Sequence, residues 1–291
     1  MRAFAFLPVV LLLMLTSASG HRSLLGTSAN ESVPASTRLP GSTRFFGPPS
    51  TQAAPELPHH PAFREYYFSR VAYTGYARGW ARGLGRGGGS WAVDYPKADQ
   101  IFLSFLDRLL SNLDAYEWQH PVLLDDPELR RFPYLYALEV GYMNLTPPEV
   151  EGLRGFLLAG GFLVIDDFWG SREWANFEYQ IEQVLPGYAI VDLSQDHEIF
   201  STFYEITELL QVPNIRNGWA SVNGGSTAEC SGCLPAVKGI YDDNGRLMVV
   251  INFNTDLGDA WEWADDPYYP LKFSTYAYEM GVNMIVYAMS H

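Results

Sequence analysis

Residues 146–167 read TPPEVEGLRGFLLAGGFLVIDD, and this stretch decides the fold class. Thr146-Pro147-Pro148-Glu149 is a capping box: the Thr146 hydroxyl can accept from the Glu149 amide, the Glu149 carboxylate can reach back, and Pro147 stands where no amide bond is lost. Val150, Leu153 and Leu157 continue at helical spacing, and Gly160-Gly161 stops the helix. Phe162 to Asp166 is then a short apolar run, the signature of a strand buried on both faces.

The same alternation extends outward in both directions. Tyr66 to Tyr73 reads as a first strand, followed by a Gly-rich loop. Ala98, Ile101, Phe102, Phe105, Leu106, Leu109, Leu110 and Leu113 make the strongest helical face, from about Lys97 onward. Val122 to Leu124 and Tyr134 to Leu138 read as buried strands split by the Asp126-Pro127 turn. Downstream, Ser171 can cap a helix whose inner face is Trp174, Phe177, Ile181, Val184 and Leu185, with a strand at Tyr188 to Asp192 after Pro186-Gly187. Strands and helices of these lengths in alternation imply parallel pairing with helices on both faces. After Leu193 the pattern changes: Ala236 to Tyr241 and Leu247 to Phe253 flank Asp242-Asp243-Asn244-Gly245, a β-hairpin signal. A final helix is expected from about Thr275. The predicted fold is α/β, a mostly parallel, flavodoxin-like sheet sandwiched by helices and closed by a C-terminal antiparallel hairpin.

The chain has 291 residues, 47% of them hydrophobic, enough for a sizeable core. Its 33 Asp and Glu against 19 Lys and Arg give a formal net charge of -14, which would repel a phosphate backbone, so nucleic acid is not an expected partner. Arg2, the apolar run Ala3 to Leu15 and the small residues Thr16 to Gly20 fit a secretory signal peptide over 1–20, implying a secreted or periplasmic protein. Residues 21–60, rich in Ser, Thr and Pro, read as a disordered linker, leaving 61–291 as one domain. No later stretch approaches membrane-spanning length, so no integral membrane segment is expected after signal cleavage.

Five motifs resemble a known family. They are Trp91-Ala92-Val93-Asp94-Tyr95-Pro96-Lys97-Ala98-Asp99, Asp126-Pro127-Glu128-Leu129, Gly160 to Asp167, His197-Glu198-Ile199-Phe200 and Asp256-Leu257-Gly258-Asp259-Ala260-Trp261. In this order they are similar to the bacterial family called domain of unknown function 4159, placed among class I glutamine-amidotransferase-like folds. The resemblance covers about Tyr66 to His291, implies a fold and leaves the function open. Amidotransferases of that fold carry a Cys at a sharp turn after a buried strand. Here that turn is Asp166-Asp167-Phe168-Trp169-Gly170, with no Cys, so glutamine hydrolysis is not expected.

Asp166 and Asp167 end a buried strand at the edge where open α/β sheets bind ligands, and are candidates for catalysis or for ligand or metal contact. On an extended strand only one should face the crevice, the other capping the next helix or pairing with an Arg. His197 is a candidate base or metal ligand, with a hydrogen-bonded structural His as the alternative. Asp94, Tyr95, Arg70, Asp256 and Trp261 are candidate ligand-binding residues. The strand order should bring Asp94, Asp166, Asp167, His197 and Asp256 to one sheet edge, with Arg70 available to compensate them. The loop Gly75 to Ser90, with seven Gly and Arg78, Arg82 and Arg86, is either a solvated loop or an anion site. Asn254 to Pro270 mixes carboxylates with Trp261, Trp263, Tyr268 and Tyr269, which suits Ca²⁺ or a stacked sugar, or else a structural cap. Cys230 and Cys233, the only cysteines, are expected to pair in an oxidising compartment. No cofactor is called for. The functional expectation is a non-catalytic ligand-binding or assembly module for a small polar ligand or protein partner. The alternative is a hydrolase using Asp166 or Asp167 with His197, with or without a metal, on a carbohydrate or similar polar substrate.

Overall fold

The computed structural model describes residues 63–76 and 89–291. The signal peptide at 1–20, the linker at 21–60 and the three arginines of the Gly-rich loop lie outside the described residues. The elements are β1 (Ser69–Ala72), α1 (Lys97–Leu109), β2 (His120–Leu123), β3 (Tyr134–Leu138), α2 (Pro147–Leu158), β4 (Phe162–Asp166), α3 (Gly170–Val184), β5 (Ile190–Asp192), α4 (Ile215–Ser221), β6 (Ala236–Tyr241), β7 (Leu247–Phe253), α5 (Leu257–Glu262) and α6 (Leu271–Ser290).

Among the described residues the strands form one seven-stranded sheet in the order β2-β1-β3-β4-β7-β6-β5. The pairs from β2 through β7 are parallel. Side chains alternate between two apolar layers, as the strand period of two requires. Tyr134, Tyr136, Phe162 and Val164 face α1, α5 and α6, whereas Leu135, Ala137, Leu163 and Ile165 face α2 and α3. Strands β3 and β4 are buried along their full length, so their unbroken apolar runs carry no alternation in sequence. Among the described residues no helix is long and apolar enough to cross a membrane.

Three expectations change. The strand predicted from Tyr188 is shorter and pairs antiparallel with β6 at the sheet edge, where Asp192 stands opposite Lys238. The hairpin β6–β7 is not an appendage: β7 lies inside the sheet, paired parallel with β4. Ser171 does not cap α3. That helix starts at Gly170, whose amide donates to the Asn254 side chain at 2.9 Å, while Glu173 accepts from the Trp169 amide at 2.7 Å. Groups brought in by the fold satisfy donors that the local sequence was expected to satisfy.

The capping box forms as read. The Glu149 carboxylate accepts from the Thr146 amide at 2.8 Å and also from the Thr74 amide at 2.9 Å, tying α2 to the chain leaving β1. Three residues further on, a Cβ at Gly152 would overlap the Leu124 carbonyl oxygen. Helix propensity alone favours Ala over Gly by about 1 kcal/mol. Overpacking against rigid backbone costs about 1–3 kcal/mol. Gly152→Ala should therefore lower the urea midpoint at unchanged slope. A raised midpoint would mean that propensity wins and that α2 can slide off β2.

Candidate functional site

The connections leaving β1 and β3 pass to opposite faces of the sheet, because α1 and α2 pack in different layers. Such a reversal opens a crevice beyond the carboxyl ends of the strands. Into this edge come Asp94 from the β1–α1 connection, Asp166 and Asp167 from the end of β4, and Asp256 and Asp259 from the segment after β7.

Backbone geometry at this edge is unusual. Glu139, Asp167 and Asn254 are the first residues beyond β3, β4 and β7, and all have left-handed φ, at 54°, 44° and 57°; Asp94 has φ 59°. Left-handed backbone at a non-glycine residue costs on the order of 1–3 kcal/mol and persists only where surroundings enforce it. Here the enforcing bonds are visible. The Glu139 amide donates to the Asp167 carbonyl and the Asn254 amide to the Phe168 carbonyl. The Asn254 side chain both accepts from Gly170 and donates to the Leu234 carbonyl. The turn at Asp167 also explains why both adjacent Asp residues reach the crevice, against the expectation of one: the chain leaves extended geometry between them.

Asp166 is fully buried; its Oδ2 accepts from the Tyr136 hydroxyl at 2.6 Å and from the Leu257 and Gly258 amides at 3.0 and 3.2 Å, and its Oδ1 has no hydrogen-bond partner. Asp167 Oδ1 accepts from the Trp169 indole at 3.0 Å. Asp256 caps α5 by accepting from the Asp259 amide at 2.7 Å, and Asp259 accepts from the Ile215 amide at 2.6 Å, opening α4. Asp94 Oδ2 is buried with no hydrogen-bond partner. It lies 2.8 Å from where a Cβ on Gly258 would stand, beside the Tyr136 hydroxyl and Asp256 Oδ1, so an added methyl there would displace the Asp94 carboxylate.

One carboxylate oxygen from each of Asp94, Asp256 and Asp259 lies within 4.8 Å of the others, and Asp167, Glu229 and Asp256 form a second such trio. Burial, then the charges of Asp259 and Asp167, raise the Asp94 pKa, against the opposing pull of Arg70. Burial and then Asp167, Asp259 and Asp94 raise that of Asp256; burial and then Glu229 and Asp166 raise that of Asp167. Burial lifts Asp166 to about 7 although the Tyr136 hydroxyl pulls it back, and lifts Asp259 to about 6 against the Ile215 amide.

Arg70 forms no bond to these carboxylates, although its charge opposes the rise of the Asp94 pKa. It is fully buried on β1, where its Nε donates to both Asp99 oxygens at 3.0 Å and its Nη2 to Asp99 Oδ1. Its Nη1 donates to the Trp91 and Val93 carbonyls at 3.2 and 2.9 Å. Arg70 thus fastens the segment that delivers Asp94. Tyr95 is half-buried, 5.8 Å beneath the same guanidinium, and Trp261 is fully buried with its ring stacked 4.2 Å from Phe102. Trp261 is part of the core and offers no face to a ligand.

His197 is the candidate that the fold separates from the rest. Its ring neighbours Tyr241 and Tyr287, and Tyr287 packs on Phe162 at the start of β4, the opposite end of the sheet from Asp166. The chain after β5 turns back toward that end, and the imidazole accepts from the Ile199 amide at 3.1 Å. Four of the five residues expected at one edge meet there. Glu229 joins them unannounced: it precedes Cys230, whose sulfur lies at disulfide distance from that of Cys233, and its carboxylate accepts from the Asn214 amide group at 2.5 Å. The Cys loop packs on the start of α3, where a Cβ on Gly170 would stand 3.3 Å from Cys230 Sγ.

Residues 70–289 match the family model described as Domain of unknown function (DUF4159). No curated protein matches the chain.

Proposed function

The chain belongs to the family of unknown function DUF4159, and on that premise we propose that its acidic crevice holds a divalent cation and, through it, binds a polar ligand. One observation carries the reading: five buried or half-buried Asp carboxylates converge where the neighbouring Arg70 is already spent on Asp99, and Asp94 Oδ2 is buried without a hydrogen-bond partner. Like charges so gathered require protons or a cation. A donor set made only of carboxylate oxygens suits hard cations such as Ca²⁺ and Mg²⁺. Asp94, Asp256 and Asp259 would be the protein ligands. If residues 1–20 act as an export leader, Ca²⁺ is the natural occupant, and extracellular Ca²⁺ modules bind with Kd of about 10⁻⁴–10⁻³ M. The hydrolase reading that pairs Asp166 or Asp167 with His197 lacks its base at this edge.

Thermal unfolding of the full chain at neutral pH, with chelator or with Ca²⁺, Mg²⁺ or Mn²⁺, tests the proposal. A cation at 100 times its Kd should add about 2.7 kcal/mol. Asp256→Asn keeps a good N-cap for α5 but removes a ligand, so it should abolish the response without unfolding the protein. No shift with any of the three cations would refute the cation site.

A further inference from the structure

A second concavity lies where the end of α4 meets residues 267–271. Its volume is about 600 Å³ and its walls include Trp219, Asn223, Pro267, Tyr268, Tyr269 and Leu271. That size falls within the range of ligand sites, about 300–1,000 Å³. Trp219, Tyr268 and Leu271 are 44%, 73% and 75% exposed, so the apolar surface is available to a partner.

Two of the three rings, Trp219 and Tyr269, are held in place by polar bonds at their edges. The Trp219 indole donates to Asp266 Oδ1 at 3.3 Å, and the Tyr269 hydroxyl donates to the Pro213 carbonyl at 2.7 Å. A Cβ at Gly218 would press on the Tyr269 ring at 2.6 Å, so α4 and that ring fit face to face. Trp219 is therefore a held ring with an open face, which suits a flat ligand because little side-chain entropy is lost on binding, and the exposed Tyr268 ring stands in the same wall.

The charges around the cavity select among flat ligands. None of the lining residues is Lys or Arg, and the adjacent Asp266 would repel an anion. Asp266 Oδ1 accepts from the Trp219 indole and from the Tyr268 and Tyr269 amides, which fixes the carboxylate at the edge of the rings. Asn223 in the wall offers an amide donor and acceptor to a polar ligand. We propose that this cavity binds a neutral saccharide, with sugar C–H faces on Trp219 and Tyr268 and hydroxyls on Asn223 and the free side of Asp266. The site goes beyond the cation reading and does not require it. The two are nonetheless neighbours: α4 begins with the Ile215 amide on Asp259, and Trp219 stands one turn later, about 6 Å along the axis.

The test uses the full chain in chelator, so that no cation contributes. Tryptophan fluorescence and calorimetry would follow titration with cellobiose, maltose and N,N′-diacetylchitobiose. Saturable binding of at least one is expected, weakened tenfold or more by Trp219→Ala and by Tyr268→Ala. Tyr268 is mostly exposed, so its variant keeps the test alive if Trp219→Ala fails to fold. Absence of saturable binding by all three sugars would overturn the proposal. So would wild-type affinity in both variants, or saturation by tetramethylammonium or an apolar dye in place of the sugars.

Discussion

Replacing Arg70 by Met should cost the fold about 3–5 kcal/mol, the penalty for stranding one member of a buried ion pair. Arg70 and Asp99 are both fully buried, and Asp99 would remain in the interior with no cation. Burial works against the Arg70 charge, yet the field and hydrogen bonds of Asp99 outweigh it and hold the guanidinium protonated. Two further bonds disappear with it, those to the Trp91 and Val93 carbonyls. The double variant Arg70→Met, Asp99→Leu removes the stranded charge and should regain much of the loss, since apolar replacements for buried pairs are often tolerated. It would not restore the tether on 91–93, so Asp94 should stay mispositioned and the cation response weak. Urea unfolding and the cation shift, measured on both variants, separate the two roles. Equal stability of single and double variants would show that the stranded charge is not the cause.

Stability without cation should fall as pH rises from about 5 to 8, opposite to the behaviour of carboxylates held in salt bridges. Asp166 and Asp259 have folded values of about 7 and about 6 against an ordinary 3.8, and burial with mutual repulsion raises Asp94, Asp167 and Asp256 as well. Between pH 4 and 7 the folded state therefore binds more protons than the unfolded state, and unfolding releases them. The stabilisation is complete below the unfolded value near 4 and is lost as pH passes through 6 and 7. A tenfold change in proton affinity is about 1.4 kcal/mol, so Asp166 and Asp259 alone account for on the order of 7 kcal/mol. A bound divalent cation replaces the protons, so the pH 8 deficit should close in saturating Ca²⁺ and reopen with chelator. Asp256→Asn removes one of the repelling charges and should flatten the profile. Stability that climbs from pH 5 to 8 in chelator would sink this account.

The central elements were legible because their signals are local. The capping box at Thr146, the double glycine at 160–161 and the hairpin at Asp242 to Gly245 each settle a boundary from a few residues. The short helices α4 and α5 were not, since six or seven residues are too few for a periodic face. Their caps could have been found: Asn214 and Asp256 each stand three residues before a backbone donor that they accept from. At the site, Asp94, Asp166, Asp167 and Asp256 follow from strand ends and motif positions. Arg70 was misjudged because nothing in the sequence says that Asp99, on the facing helix, claims it first. The return of the chain after β5 is a tertiary event, and it carried His197 away from the edge where strand counting put it.

The place of β7 in the sheet bears on how the chain reaches its native state. Residues 163–165 pair with 249–251, so the two halves of the crevice are joined by contacts more than 80 residues apart. Long loops must close before those contacts form, which slows folding. Until Leu247 to Phe253 arrives, the side of β4 that it covers is an open edge of Leu163, Val164 and Ile165, an unguarded template for a strand from another chain. A nascent or truncated chain lacking the last 45 residues therefore carries both the unfinished crevice and a sticky edge, and the strand that completes one also seals the other.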